Sequence, residues 1–424
     1  MTSPRISRRT AVKAASATLA MPYVAASALS NGAAAQGTEL RFASWLGAAA
    51  GLVDVYNQSQ SAVKVTYEEI PFEQYADRLL IDMASGTAPD VFHWPSPWWI
   101  PAMRKQVFLP LTDRLAADGI ELSEFVYDPM RVGGLDGQLY GLPYALPTTR
   151  VIVYNKRLFQ EAGAKLPEEG WTWDDLVAAA KLIHNPPDVY AIPFPPHQLN
   201  IETMIYDNGG RIISEDGTTC LLDEPAAVAA LQESVNWYRE DKITMDPGQE
   251  ESLGEEPFAS DKLAMAFISI PGWQSWNRIT RDLAIDADVV RFPKAPESAA
   301  SRTAAESHMI AIPASTKNAD LAWEFLKWSQ TSEEALNYWI EFYPVNYHFD
   351  EYIQKVPEGR QREITSLRYN FRETLDVTYW GPNTTESQRA FTAEYELAVL
   401  GEKPVQDAMS AACDEIQSLL DSAS

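Results

Sequence analysis

The stretch "AVKVTYEEIPFEQYADRLLIDMASGTAPDVFHW", residues 62–94, decides the fold. Val63, Val65 and Tyr67 recur at period two, the alternation of a strand with one buried face. Tyr75, Leu79 and Met83 then fall at i, i+4 and i+8, one stripe of a helix that Gly86 closes. "DVFHW" (90–94) is apolar and strand-like again. Upstream, "ELRFASW" (39–45) reads as another strand, followed by an Ala/Gly-rich segment able to start a helix. Strand, helix, strand, helix, strand at this spacing predicts an α/β fold with a parallel, doubly wound sheet. Ligands of such sheets bind in the crevice outside the carboxyl ends of the strands. Trp45 and Trp94 each stand at that end of their strand. The next loop adds Trp98 and Trp99 between prolines, rigid aromatic surface where solubility alone would favour small polar residues.

Further along, "WTWDDLVAAAKLI" (171–183) spaces Thr172 and Asp175 as a capping box ahead of an apolar face of Leu176, Val177, Ala180 and Ile183. "DKLAMAFISIPGWQSW" (261–276) predicts a buried strand entering a second Pro, Gly and Trp loop. "ADVVRFPKAP" (287–296) and "SHMIAIPAST" (307–316) read as two more strands. Beyond Thr316 the pattern turns helical. Leu321, Phe325 and Trp328 share one face, as do Val405, Met409, Ala412, Ile416 and Leu420. Trp171, Trp173, Trp237, Trp323, Trp328 and Trp339 lie at helix starts or on apolar helix faces and read as core.

At 424 residues, with 46% hydrophobic and 11% aromatic content, the chain has material for two lobes, each with its own core. The first 35 residues follow other rules. Arg5, Arg8, Arg9 and Lys13 precede a weakly apolar, Ala-rich run and the small residues Ala33-Ala34-Ala35. That is the layout of a secretory signal peptide, residues 1–35, and it places the mature chain in the periplasm. "SRRTAVK" (7–13) is twin-arginine-like, although Ala11 stands where Phe is usual, so the general secretory route is also open. Removing the signal leaves 30 Lys and Arg against 59 acids, a net charge of −29. Such a chain is repelled by nucleic acid and anionic lipid. Cys220 and Cys413 are compatible with two buried thiols or with one disulfide.

No GxGxxG, GxxxxGK, GxSxG or HExxH occurs, and the five histidines show no zinc-ligand spacing. No catalytic residue, metal or cofactor is therefore expected. A glycosidase carboxylate pair has no short motif, so a secreted carbohydrate-active enzyme is the rival class.

Seven fragments, in order, carry a resemblance: "SGTAPDVF", "DGQLYGLPY", "VYNKRLFQEAG", "WTWDDLVAAAKLI", "DKLAMAFISIPGW", "KNADLAWEFLKW" and "GEKPVQDAM". Together they span most of residues 39–420. The chain resembles the extracellular solute-binding proteins of ABC importers, in the maltose-binding-like group called family 1. The resemblance implies a two-lobed periplasmic-binding-protein fold that closes on a solute by a hinge. Lobe 1 is expected over 36–146 plus 280–314, and lobe 2 over 147–279 plus 315–424. Crossovers are expected near Pro143–Thr149, Trp276–Arg281 and Pro313–Thr316. The implied function is to bind a carbohydrate between the lobes, as a monomer, and deliver it to ABC permease subunits in the inner membrane. Other small polar solutes, such as a glycerol phosphodiester, a polyol or a polyamine, are the alternatives.

Sugars offer apolar C–H faces rimmed by hydroxyls, so their sites combine flat aromatic surfaces with a few placed donors and acceptors. The resemblance implies ligand contacts at Trp45, Trp94, Tyr144, Thr148 and Trp273. It adds Tyr343 and Asn346 in "EFYPVNYH" (341–348) and Trp380 in "TYWGPN" (378–383). His93 and Trp98 flank Trp94 and complete the candidate set. One departure stands out. Relatives are glycine-rich before the strand matching "MIAIP", whereas here Glu306, Ser307 and His308 bring side chains to that wall.

Overall fold

The computed structural model describes residues 38–422, except 96–98, 146, 194–197, 247–256, 270–275, 300, 357 and 371–374. The expected signal peptide thus lies outside the described residues. β1 (Thr38–Ser44), β2 (Val63–Glu69) and β3 (Val91–Trp94) form as the opening stretch requires, and β1 pairs in parallel with both neighbours. The intervening helix Phe72–Ser85 buries Tyr75 and Leu79 completely. The Tyr75 hydroxyl donates to the Ala43 carbonyl at 2.8 Å, pinning helix to strand. Gly86 takes the left-handed cap, with φ 74°.

β4 (Gly134–Leu135) and β5 (Gln138–Leu139) make a small hairpin, and β6 (Gly141–Pro143) then joins the first sheet. A Cβ on Gly141 would strike the Trp99 ring and the Ile310 carbonyl, so only glycine lets that indole lie against the sheet. β7 (Thr148–Asn155) opens a second sheet and is its spine. β8 (Met265–Ser269) and β9 (Ala287–Arg291) run antiparallel along it, and β10 (Thr303–Glu306) pairs with its first residues. β11 (Met309–Ala311) returns to the first sheet, and β12 (Leu375–Val377) edges the second.

The first sheet therefore runs β2-β1-β3-β11-β6, and the second β12-β10-β7-β8, with β9 also on β7. The first is mixed where a purely parallel sheet was expected. Only β11 is reversed, antiparallel to β3 and β6 on either side, because the chain enters it from the second sheet and not through a helix of the first.

Sheet membership revises the expected lobe boundaries. β9 and β10 belong to the second sheet although residues 280–314 were assigned to lobe 1. Conversely, helices Ala319–Thr331 and Glu333–Trp339 pack with β1 and β2 in one core, although residues 315–424 were assigned to lobe 2. The chain passes from the first sheet to the second between β6 and β7, returns between β10 and β11 and not at Pro313–Thr316, and passes over again between helix Glu333–Trp339 and β12. Nor does it change sheets near Trp276–Arg281, because the strands on either side both pair with β7.

Local signals held elsewhere. Thr172 and Asp175 make both capping-box bonds. Val405, Met409, Ile416 and Leu420 are buried in the second core, and Ala412 between them is buried as well. On helix Ala319–Thr331 the buried face is rotated toward Ala322, Phe325, Leu326 and Ser329, leaving Leu321 and Trp328 half-buried at its margins. Cys220 and Cys413 form a disulfide that ties a turn to helix Val405–Ser422. Arg302 grips Asp376 through two hydrogen bonds, with Arg211 adding a third, and this joins the start of β10 to β12.

Candidate functional site

The first two of these passages run side by side, and an aromatic cluster assembles on them. Tyr144, the first residue beyond β6, stacks on His308 with ring centres 6.2 Å apart and planes 15° from parallel. Tyr343 stands edge-on to Tyr144 at 5.8 Å, and Trp339 lies beneath at 5.8 Å. Trp45, at the end of β1, presents its edge to His308 at 5.2 Å and rests on Tyr75 at 4.7 Å. Trp45, Tyr343 and His308 are half-buried, whereas Trp339 is sealed. Phe72, an exposed ring on the helix after β2, extends the Trp45 edge.

Alternation along β3 sorts its last residues onto two faces. His93 points toward Trp45 and Tyr144, with ring centres 5.7 and 4.8 Å away. Its Nδ1 lies 2.7 Å from the Ser44 hydroxyl, which already accepts the Leu46 N–H. The Ser44 oxygen keeps a second lone pair, so it pairs with Nδ1 as donor or as acceptor according to the tautomer. Nε2 has no hydrogen-bond partner among the described residues. Burial first, and His308 second, hold the His93 imidazole neutral, with its pKa pushed down to about 3. Burial likewise lowers His308 to about 4.

Trp94 faces the opposite way. It is fully buried and packs against Phe92 and Phe108, so it is a core residue and not part of the crossover cluster. Asn346 is also withdrawn from the site. Its side-chain oxygen accepts the Tyr127 N–H at 2.8 Å and its amide donates to the Tyr127 carbonyl at 3.2 Å, which locks the 343–348 segment to the chain before β4. Trp380 packs on Phe391 in the second core, and its indole N–H donates to Glu202 at 2.6 Å. All three satisfy packing or backbone demands that short fragments cannot reveal. Trp98 and Trp273 lie outside the described residues, and Thr148 is described in its backbone alone, opposite Glu306.

Of the expected residues, Trp45, His93, Tyr144 and Tyr343 are brought together. His308 and Trp339 join them without having been in the candidate set. His308 belonged to the departure at 306–308. Trp339 read as core, which it is, yet it also floors the cluster. Among the described residues no cluster of three or more His, Cys, Asp or Glu could hold a metal ion. Also among the described residues, no helix is long and apolar enough to cross a membrane.

The family described as bacterial extracellular solute-binding protein matches residues 37–336. The chain belongs to this family. A putative binding protein of Brucella abortus is 28% identical over 180 residues, 41% of this chain and 43% of that one. The diacetylchitobiose binding protein DasA of Streptomyces coelicolor is 26% identical over 277 residues, 64% of this chain and 63% of its own length. The matched region thus spans between two fifths and two thirds of these curated relatives. Among solved structures, an ABC substrate-binding protein of Listeria monocytogenes in complex with cycloalternan superposes with a TM-score of 0.79 at 22% identity. The match covers 91% of this chain and all of that one. At that identity the likeness shows the fold, the two-lobed one of periplasmic binding proteins. This is a family of binding proteins, and no step of bond chemistry is needed to account for the cluster.

Proposed function

We propose that this protein is the exported, periplasmic substrate-binding component of an ABC importer. It takes a carbohydrate between its lobes and hands it to permease subunits in the inner membrane, acting as a monomer. The observation that carries the reading is the ring set at the crossovers: buried Tyr144 stacked on half-buried His308, with half-buried Trp45 and Tyr343 on either side. Flat faces of this kind suit the C–H surface of a pyranose. Support also comes from the relatives, whose names record diacetylchitobiose and cycloalternan. Trp273 completes the second lobe's wall in this reading. Closure is favoured only by contacts the solute makes with both lobes at once.

A thermal-shift screen of mono-, di- and trisaccharides tests the proposal. A cognate sugar at a hundred times its Kd stabilises the folded chain by about 2.7 kcal/mol. The sugar should be recovered intact. Stabilisation by glycerol phosphodiesters alone, or release of cleaved product, would replace the reading. Trp273→Ala should abolish the shift and leave the midpoint of the free protein unchanged.

A further inference from the structure

The lobes also meet away from the crossing strands. Helix Trp99–Arg104 follows β3 in the first lobe, where Trp99 stacks on Phe108 with ring centres 4.7 Å apart. Its last residue, Arg104, is exposed, and its guanidinium reaches the second lobe. There the chain turns tightly through residues 214–219. The Gly217 N–H donates to the Ser214 carbonyl and the Ser214 N–H to the Thr219 carbonyl, both at 2.8 Å. Ile213 and Cys220, at the base of the turn, are buried in the second core. The Cys220–Cys413 disulfide ties the turn to helix Val405–Ser422, and Gln417 of that helix accepts the Cys220 N–H and donates to the Thr218 carbonyl. Residues 215, 216, 218 and 219 are exposed, yet Gly217 at the tip is buried. Among the described residues, Arg104 and Tyr379 cover it: a Cβ at 217 would lie 3.1 Å from the Arg104 Nη2 and 3.4 Å from the Tyr379 ring. Tyr379 follows β12 and packs on the second core, and the Arg104 charge acts on its hydroxyl.

We propose that Arg104 and Gly217 form a latch between the lobes, which holds them together in the ligand-free protein and has to release before a solute enters. One lobe supplies a long side chain and the other a bare backbone tip. Gly217 stands at φ 75°, where glycine is strained least, and its missing side chain is what lets the guanidinium approach. The disulfide and Gln417 make the tip a fixed seat, so the turn does not follow Arg104 when the lobes part. Arg104 itself forms no ion pair or hydrogen bond with a described residue. The contact is therefore packing of an exposed side chain on backbone and ring, weak enough to break reversibly. Such a contact shifts the balance between parted and joined lobes without locking it. The latch needs the two lobes of the fold and not the identity of the solute.

Dipolar spin-label distances on the mature chain, with no sugar present, test this. The labels go on Lys105→Cys and Thr219→Cys, exposed positions beside each half of the contact, and the native cysteines are already paired. With Arg104 and Gly217 in place, short distances should dominate over a minor longer population. Arg104→Ala, a change at an exposed position, should raise the longer population about two- to fivefold, the range an exposed side-chain contact supplies. Gly217→Asn tolerates the left-handed backbone but sets a Cβ beneath the guanidinium, and should do the same. An unchanged distribution in Arg104→Ala overturns the latch whatever Gly217→Asn does. Long distances dominating while Arg104 and Gly217 are both present overturn it as well. Neither result bears on the carbohydrate reading, which the thermal-shift screen tests by itself.

Discussion

Lowering the pH from about 7.5 to about 5 should destabilise this protein through His93, by an amount that its surroundings set. The imidazole is wholly buried among Phe42, Trp45 and Tyr144, and its Nδ1 is committed to the Ser44 hydroxyl. A second proton would place a charge among rings, close to His308. The folded pKa of about 3 expresses this cost, whereas an unfolded histidine titrates near 6.5. Because the folded value is depressed, the stabilisation is complete above about pH 6.5 and is lost as the pH falls toward 3. At about pH 5 the loss is about 2 kcal/mol, saturating at about 5 kcal/mol near pH 3. Urea unfolding at both pH values, on wild type and on His93→Asn, isolates the effect. The asparagine amide can meet the Ser44 hydroxyl as acceptor or as donor but does not titrate, and every other ionisable group is common to both proteins. Wild type should lose about 2 kcal/mol more than the variant over this interval. Equal losses would mean that His93 is already protonated in the folded state, or is open to water, and would refute the assignment.

Four further outcomes follow from the packing. Trp94→Ala should cost about 3–5 kcal/mol in urea unfolding, as a large core truncation does. Trp45→Ala should cost less stability but weaken sugar binding tenfold or more by titration; the reverse pattern would exchange their roles. Asn346→Ala strands the Tyr127 N–H and carbonyl in the interior, and should cost about 2–4 kcal/mol by chemical denaturation with ligand affinity retained. The Cys220→Ser, Cys413→Ser double variant releases a 193-residue loop. In the chain-entropy account this lowers stability by up to about 5 kcal/mol, read as a fall in Tm under non-reducing conditions.

The fold was largely legible because its signals are periodic and local. The stretch 62–94 states a strand, a helix and a strand within its own residues, and the capping box at Thr172 needs nothing beyond Asp175. The second crossing was harder to place. "TAAESHMIAIP" holds no glycine or proline until its end, so only the strand over 307–316 is legible there, β10 is missed, and the boundary falls at Pro313. The residues misplaced at the site fail for one shared reason. Asn346 is consumed by Tyr127, Trp380 by Glu202, and Trp94 by Phe108, partners that the local sequence does not bring near. Period two requires His93 and Trp94 to face opposite ways, but which face meets the cluster depends on Tyr144 and Phe108, and neither is local.

The same bookkeeping gives a different weight to the departure at 306–308. If tryptophans in loops were the main determinants of this site, its selectivity would follow from aromatic surface alone, and neutral and charged sugars of similar shape would bind alike. The crossover strand argues otherwise. Glu306 and His308 project to one side, the imidazole against Tyr144 and the carboxylate without a donor of its own, while Ser307 is buried on the other. A glycine-rich segment there would leave only backbone groups, which any hydroxylated solute can satisfy. A half-buried Glu306 instead adds a side-chain acceptor at a fixed place, with Arg150 the charge that acts on it. Replacing Glu306 should therefore alter which sugar binds more than it alters how tightly the rings hold one.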